Sequence, residues 1–276
     1  MQAPPRRGDA TRSATVPVGD QTPADVIAAR GAAWAARPLL REVYRRALTA
    51  IERELAPGPR TVEIGGGSGM AREFLPQLLV TDIVATPHVD VVADATRLPF
   101  AASSVDNLIG IDCLHHLPHP STLFAEATRV LRPGGRLVLI EPYISPVSRL
   151  AFALAHPEPV DLAADPMPDD DRPVFAPGGG PFAANQAIPT LLFFRHRARF
   201  AARFPALALR TLRRMSTIAY PVSGGFSAPS WVPAWAASAV WTLERLTTPL
   251  APLMAFRLLI TLERAAAPAP PRAAQP

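Results

Sequence analysis

The sequence predicts an α/β fold built on a mostly parallel sheet. Three observations carry that expectation. Short apolar, β-branched runs alternate with helix-period segments between residues 58 and 142, the pattern of successive βαβ units. A glycine-rich stretch, Gly65-Gly66-Gly67-Ser68-Gly69, directly follows the first such run. A first strand-to-helix turn of that kind lets backbone come close to a ligand at the carboxyl edge of the sheet. Hydrophobic residues make up 49% of the 276, which is enough for a large core and excludes wholesale disorder.

The elements follow in order. Residues 1–22 are Pro, Arg, Ser and Thr with little apolar content and read as a disordered tail. Pro23 to Ala56 reads as two helices, the second starting at Pro38, a favoured first helical position. Thr61–Ile64 reads as a strand, Met70–Leu79 as a helix, and Leu79–Asp82, Val89–Val92 and Val105–Asp112 as strands. Pro120–Leu131 reads as a helix, and Arg136–Ile140 as a strand after the Pro133-Gly134-Gly135 turn. Residues 156–185, rich in Pro, Asp and Gly, read as loop. Asn185–Phe204 reads as a helix, Leu207–Tyr220 as a strand, Ser230–Leu250 as a helix with Trp231 and Trp235 on one face, and Ala255–Leu262 as a last strand. Residues 266–276 read as a second disordered tail, which leaves 23–265 as a single domain.

Composition narrows the chemistry. Cys113 is the sole cysteine, so no intramolecular disulfide and no cysteine-built zinc site is available. Arg supplies all the basic side chains, since the sequence holds no Lys; a P-loop clamp and Schiff-base catalysis are excluded. No uncharged stretch is both long and unbroken enough to span a bilayer: Met215–Leu243 is interrupted by three prolines and two glycines. The N-terminus has arginines but no apolar signal core. A soluble, cytoplasmic protein is therefore expected. A net charge of +5 in an Arg-for-Lys sequence is weak support for nucleic acid, and none is expected as partner.

The glycine stretch does not fit a dinucleotide site, because G-x-G-x-x-G counted from Gly65 would need glycine where Met70 stands. Glu63-Ile64-Gly65-Gly66-Gly67-Ser68-Gly69 instead resembles the first motif of class I S-adenosylmethionine (SAM)-dependent methyltransferases. Asp82 at the end of the second strand, Ala93-Asp94-Ala95 before Leu98-Pro99-Phe100, Leu114-His115-His116-Leu117-Pro118 and Arg129–Leu137 are similar to further motifs of the type 11 subgroup. The resemblance covers residues 58–142. It implies a Rossmann-like, seven-stranded sheet with helices on both faces, completed by an antiparallel pair from 207–220 and 255–262. It also implies SAM as methyl donor.

The roles that the resemblance implies are these. Glu63 faces the donor's ammonium, and Gly65, Gly66, Gly67 and Gly69 let backbone approach the methionyl part. Asp82 accepts from the ribose hydroxyls, Ile83 packs on adenine, Asp94 and Ala95 form the adenine turn, and Asp112 counts among the donor-binding residues. Asp94 has an equally ordinary reading as a turn-capping Asx. His115 and His116 are candidate bases near the acceptor, although a structural role suits them as well. No metal is expected, although Asp112-x-x-His115-His116 has a spacing that a divalent ion could use.

Two stretches, 142–190 and 221–253, exceed a minimal version of this fold and are expected to cover the crevice as acceptor pocket and lid. Tyr143, His156, Asn185 and Gln186 are the candidate acceptor contacts there. Eight arginines between 172 and 243, with no Asp or Glu among them, read either as a solvated face or as a contact for an anionic acceptor or membrane surface. The acceptor is expected to be a small or lipid-linked molecule. A non-catalytic SAM-binding module and a protein peripheral to the inner membrane face are the alternative readings.

Overall fold

The computed structural model describes residues 22–156, 158–175 and 182–266; apart from Thr22 and Ala266, the two expected tails lie outside them. Thr22 is the N-cap of helix α1 (Pro23–Ala36): its hydroxyl accepts from the Asp25 N–H while the Asp25 carboxylate accepts from the Thr22 N–H, a reciprocal cap. Helix α2 (Pro38–Glu52) starts at Pro38 and buries Leu40, Tyr44, Leu48 and Ile51 along one face.

Seven strands form one sheet: β1 (Thr61–Ile64), β2 (Leu79–Asp82), β3 (Val91–Val92), β4 (Val105–Ile111), β5 (Leu131–Pro142), β6 (Leu207–Met215) and β7 (Arg257–Arg264). Their order is β3-β2-β1-β4-β5-β7-β6. The first five are parallel, and β7 lies antiparallel between β5 and β6. This is the seven-stranded, Rossmann-like class I arrangement the motifs imply. The chain leaves β1 for β2 on one side and later enters β4 on the other. The carboxyl ends of β1 and β4 therefore flank a crevice at the switch point.

The sheet is covered on both faces, which is why β4 is buried along nearly its whole length and apolar on both sides from Leu108 to Ile111. On one face, Phe124 of helix α3 (Pro120–Val130) meets Phe193, Phe200 and Phe204 with ring centroids 4.8–6.2 Å apart. On the other face, Leu48 and Ile51 of α2 pack with Val80, Ile109 and Val138.

Helix α4 (Pro146–Ala155) follows β5 and is capped by Ser145 and Ser148. The rest of the first insert within the described residues is irregular up to Gln186, as expected. Helices α7 (Ala219–Val222), α8 (Ala237–Thr247) and α9 (Ala251–Met254) build the second insert. Glu244 of α8 accepts from the N–H groups of Thr217, Ile218 and Ala219, which fixes α8 to the end of β6.

Five local expectations need correction. Met70–Leu79 is not a helix: only Met70–Glu73 makes a 3-10 turn, because residues 65–78 must return to the sheet and Pro76 removes a helical donor. The strand expected over 89–92 shrinks to β3, since the Asp90 carboxylate turns back to accept from the Val80 N–H at 2.8 Å. Asn185–Phe204 is divided into α5 (Ile188–Thr190), a wide π turn at Leu191–Arg195 and α6 (Arg197–Arg203), with the His196 N–H reaching back to the Leu191 carbonyl. The strand over 207–220 ends at Met215, and Ser216 turns the chain with φ +62°. Trp231 does not share a helix with Trp235, because Ser230–Pro233 is a bend; both indoles are exposed, while Trp241 stacks 3.9 Å from the Arg46 guanidinium.

Most arginines of the 172–243 region are engaged within the protein. Arg199 bonds Asp165 and Asp169, Arg203 bonds the Met167 carbonyl, and Arg195 bonds the Leu162 carbonyl. Arg210 pairs with Glu263, and Arg214 lies over the Phe194 and Tyr143 rings. The carboxylates and carbonyls come from outside 172–243, and they fasten the first insert and the sheet edge.

Candidate functional site

The glycine loop leaves the carboxyl end of β1 and is tied to β2 at two points. The Gly66 N–H donates to the Thr81 carbonyl at 3.0 Å, and the Gly67 N–H to Asp82 Oδ2 at 2.8 Å. Side chains are excluded at both glycines: a Cβ on Gly66 would lie 2.5 Å from Glu63 Oε2, and one on Gly67 would lie 2.7 Å from Asp82 Oδ2. The glycines thus let two carboxylates close in under one loop. Asp82 is oriented from both sides, since Oδ1 accepts from the Val84 N–H at 2.8 Å. Each of its oxygens keeps a lone pair for a ligand hydroxyl.

Glu63 is different. It is 6% exposed, and its Oε2 has no hydrogen-bond partner among the described residues. Burial pushes its carboxyl up to about 7, with Arg72 opposing and Asp82 reinforcing the rise. A buried, unpaired carboxylate oxygen is costly; here it is aimed at a cavity where a cation would satisfy it.

Two cavities open at the crevice. The larger, of about 690 Å³, lies between the glycine loop and α1, which covers it with Ile27 and Arg30. Asp82, Ile83, Asp94 and Ala95 line it with Gly65 and Gly67. Ile83 is 60% exposed there, an apolar side chain left free to pack on a flat ring. Asp94 lines the cavity too, but its Oδ1 accepts from the N–H and hydroxyl of Thr96, the Asx-turn arrangement. Gly69 lines neither cavity; it turns the chain with φ +66° against His88.

The smaller cavity, of about 110 Å³, is polar and lies on the other side of the loop. Glu63, Gly66, His115, His156, Glu158 and Gln186 face it. Gly65, Ser68, Asp112, His116 and Arg30 line both cavities, so the two meet across the carboxyl ends of β1 and β4.

Several expected contacts are placed elsewhere. Tyr143 is buried between Phe194 and Arg214, away from both cavities. Asn185 is structural: its side chain accepts from Asp161 and Ala187 N–H groups and donates to the Asp161 carbonyl. Asp112 reaches the junction, but its carboxylate is bound by the Tyr44 hydroxyl at 2.9 Å and by Arg257 at 2.6 Å. That side chain is partly buried; burial works against its charge, and Arg257 outweighs burial and keeps its pKa low. The triple Asp112-x-x-His115-His116 is therefore not assembled.

The two histidines have opposite states. His115 is buried, with Nδ1 2.7 Å from Glu141 Oε2 and Nε2 3.5 Å from Glu158 Oε2. Burial disfavours its charge, but the two glutamates outweigh burial and lift its pKa to about 10. Without another cation present it is an imidazolium and no base. His116 is pushed down to about 4, by burial and then by the His115 charge. Its Nδ1–H donates to the Ala183 carbonyl at 3.1 Å, which leaves Nε2 with its lone pair.

Tyr44, Glu141, Glu158 and Arg257 were not expected from the sequence. Glu158 sits in a Pro-rich loop with no periodicity, and Tyr44 and Arg257 meet Asp112 across 68 and 145 residues.

A seven-stranded sheet of this order with a glycine loop and acidic groups at the switch point defines a Rossmann-like fold with a ligand crevice. Residues 62–139 match the model of the methyltransferase domain family. A ubiquinone/menaquinone biosynthesis C-methyltransferase of Bordetella parapertussis is 31% identical over 133 residues, 40% of this chain and 49% of that protein. Phthiotriol/phenolphthiotriol dimycocerosates methyltransferase 1 of Mycobacterium ulcerans is 30% identical over 143 residues, 45% of this chain and 49% of that protein. The chain thus spans about half the length of these curated relatives. Among solved structures, a geranyl diphosphate C-methyltransferase from Streptomyces coelicolor A3(2) shares 14% identity at a TM-score of 0.45, covering 81% of this chain and 79% of that one. No helix among the described residues is long and apolar enough to cross a membrane.

Proposed function

We propose that the chain transfers the methyl group of SAM to a lipid-linked small molecule. The observation that carries this reading is the pair of cavities meeting at Gly65, Ser68, Asp112 and His116. The residues present suit SAM. Glu63 Oε2 is a buried acceptor without a donor, suited to the ammonium. Asp82 is pre-oriented by two backbone N–H groups for a ribose diol, and the larger cavity falls in the about 300–1,000 Å³ range of small-molecule sites.

When bound, SAM supplies an electrophilic methyl on a sulfonium. The protein's share is alignment: the loop and Asp82 hold the donor, and the polar cavity holds the acceptor on the far side of the junction. Positioning of this kind accounts for several kcal/mol of a displacement barrier, of order 7–11 at most. Helix α1 covers the donor cavity and limits water there. His116, neutral at pH 7, presents the lone pair of Nε2 at the junction.

An exposed apolar face supports a lipid-linked acceptor. Leu150 and Leu154 of α4, Leu243 and Leu246 of α8, and Leu250 and Leu253 beside them are all about half exposed or more. Helices α4 and α9 are in contact, and the opposite side of α4 sends Phe152 into the polar cavity. Amphipathic helices of this kind lie on bilayer surfaces. The relatives named for quinone and dimycocerosate methylation agree with that class.

The test is formation of S-adenosylhomocysteine (SAH) with a phenolic acceptor bearing an isoprenoid tail, presented in phosphatidylglycerol vesicles. Turnover that needs both acceptor and vesicle is expected. SAM binding with no turnover on any lipid-linked or free phenolic, amine or enolic acceptor would leave a non-catalytic SAM-binding module.

A further inference from the structure

The polar cavity holds a group of side chains that acceptor binding alone does not require. One ligand atom each from His115, His116 and Glu158 lies within 4.8 Å of the other two. We infer that these three residues form a binding site for a first-row divalent metal ion, with Zn²⁺ the best suited. The inference rests on the reading above for the acceptor's identity, and not for the metal.

The geometry points to a site held ready on both ligand shells. His115 and His116 lie in one 3-10 turn, Leu114–His116, and their ring centroids are 4.2 Å apart. Both rings are anchored through Nδ1. His115 Nδ1 meets Glu141, whose other oxygen accepts from the Cys113 and Leu114 N–H groups at 2.9 and 2.8 Å. His116 Nδ1 meets the Ala183 carbonyl. A carboxylate or carbonyl on the far nitrogen is the usual outer-shell partner of a metal-bound histidine, and it directs Nε2 at the ion.

Glu158 supplies the third donor. Its Oε2 lies 3.5 Å from His115 Nε2. Ligands about 2.0–2.1 Å from a tetrahedral ion stand about 3.3 Å from one another, so that pair needs little movement. Glu158 is placed by Gln186, whose amide donates to the same Oε2, and by its own N–H, which donates to His156 Nδ1. Two imidazoles and one carboxylate form a donor set for Zn²⁺ and its neighbours.

Three protein ligands leave a coordination position open. That position lies in the polar cavity, beside the junction with the larger one. The ligand class it would take is an oxygen donor on the acceptor, such as a phenolate or enolate. An acceptor bound by that oxygen would be fixed next to the methyl donor.

The experiment is equilibrium dialysis of the metal-stripped full chain against Zn²⁺, with Co²⁺ absorption spectra in parallel. One ion per chain and a Co²⁺ d–d band of tetrahedral intensity are expected. Glu158→Gln and His116→Ala should each weaken binding by more than the about 10–100-fold that loss of an outer-shell partner costs, while His88→Ala, exposed and remote, should not change it. A calorimetric SAM titration on the same samples reports folding and the donor site separately. Metal binding without SAM binding would remove the donor reading and keep the metal site. No ion bound by the wild type, or equal binding by wild type and both variants, would overturn the metal site and leave His115 as a structural imidazolium between two glutamates.

Discussion

The donor cavity and the acceptor cavity share a wall but are built in different ways. The donor side takes its loop and acidic groups from the ends of consecutive strands, β1, β2 and β3, so Glu63, Asp82 and Asp94 recur at short intervals, Asp82 and Asp94 lining the larger cavity and Glu63 facing the polar one across the glycine loop. The acceptor cavity is assembled from α2, the end of β4, the first insert and the start of β7. Its central support is Asp112, held by Tyr44 and Arg257 from distant parts of the chain. The lesson is that one side is fixed by local backbone geometry, whereas the other depends on buried long-range polar pairs.

This contrast can be broken most forcefully at Arg257. It is buried, and Asp112 holds its charge so firmly that its pKa rises above the usual guanidinium range despite burial. Arg257→Ala leaves the partly buried Asp112 without its cation and should cost about 3 kcal/mol, the lower end for a broken buried pair, in denaturant unfolding. A loss under about 1 kcal/mol would show that the acceptor side is not held together this way.

A smaller effect is expected on the donor side from Asp82→Ala. Two ligand hydroxyls would lose a charged acceptor, each such bond being worth about 1.5–3 kcal/mol. SAM affinity should fall by at least about tenfold. Unfolding should change far less than for Arg257→Ala, since the released Gly67 and Val84 N–H groups border a cavity.

The third prediction concerns pH. In the ligand-free protein Glu63 has its pKa raised to about 7. The stability its protonated form contributes is full below the ordinary glutamate range and is lost as pH rises through about 7. The donor's ammonium favours the ionised form instead. SAM affinity should therefore climb from about pH 5.5, by at most tenfold per unit, and level off above about pH 8. In Glu63→Gln the curve should be flat and lower; an unchanged slope would assign the dependence to another group.

The smallest effects should come from the surface of the acceptor side. Arg199→Ala removes a half-exposed clamp on residues 165–169 and should cost no more than about 1 kcal/mol. Leu150→Ser with Leu246→Ser should shift unfolding by under about 0.5 kcal/mol per site yet reduce co-sedimentation with phosphatidylglycerol vesicles. Retained pelleting would remove the membrane-facing role of that face.

The same contrast explains what was legible in the sequence. The succession of strands and the glycine loop with its strand-end carboxylates could be read because glycines, carboxylates and β-branched runs carry local signals at regular spacing. The failures have local physical causes. Pro76 and the short return to β2 removed a helix after the glycine loop. A π turn split the helix expected over 185–204 and turned its arginines onto the insert. In the acceptor half, Asn185 and Tyr143 carry side chains as suitable for a ligand as Gln186 and His156, and tertiary packing alone separates them. Glu158 gave no signal, because a lone glutamate between prolines has neither periodicity nor motif.

The most direct test of the central claim, that the glycine-loop cavity holds the methyl donor, is calorimetric titration of the full chain with SAM, SAH and NAD beside Asp82→Ala. The account predicts that SAM and SAH each bind once per chain, that NAD does not bind, and that Asp82→Ala weakens both by at least about tenfold. Binding of NAD, or SAM binding untouched by Asp82→Ala, would contradict it.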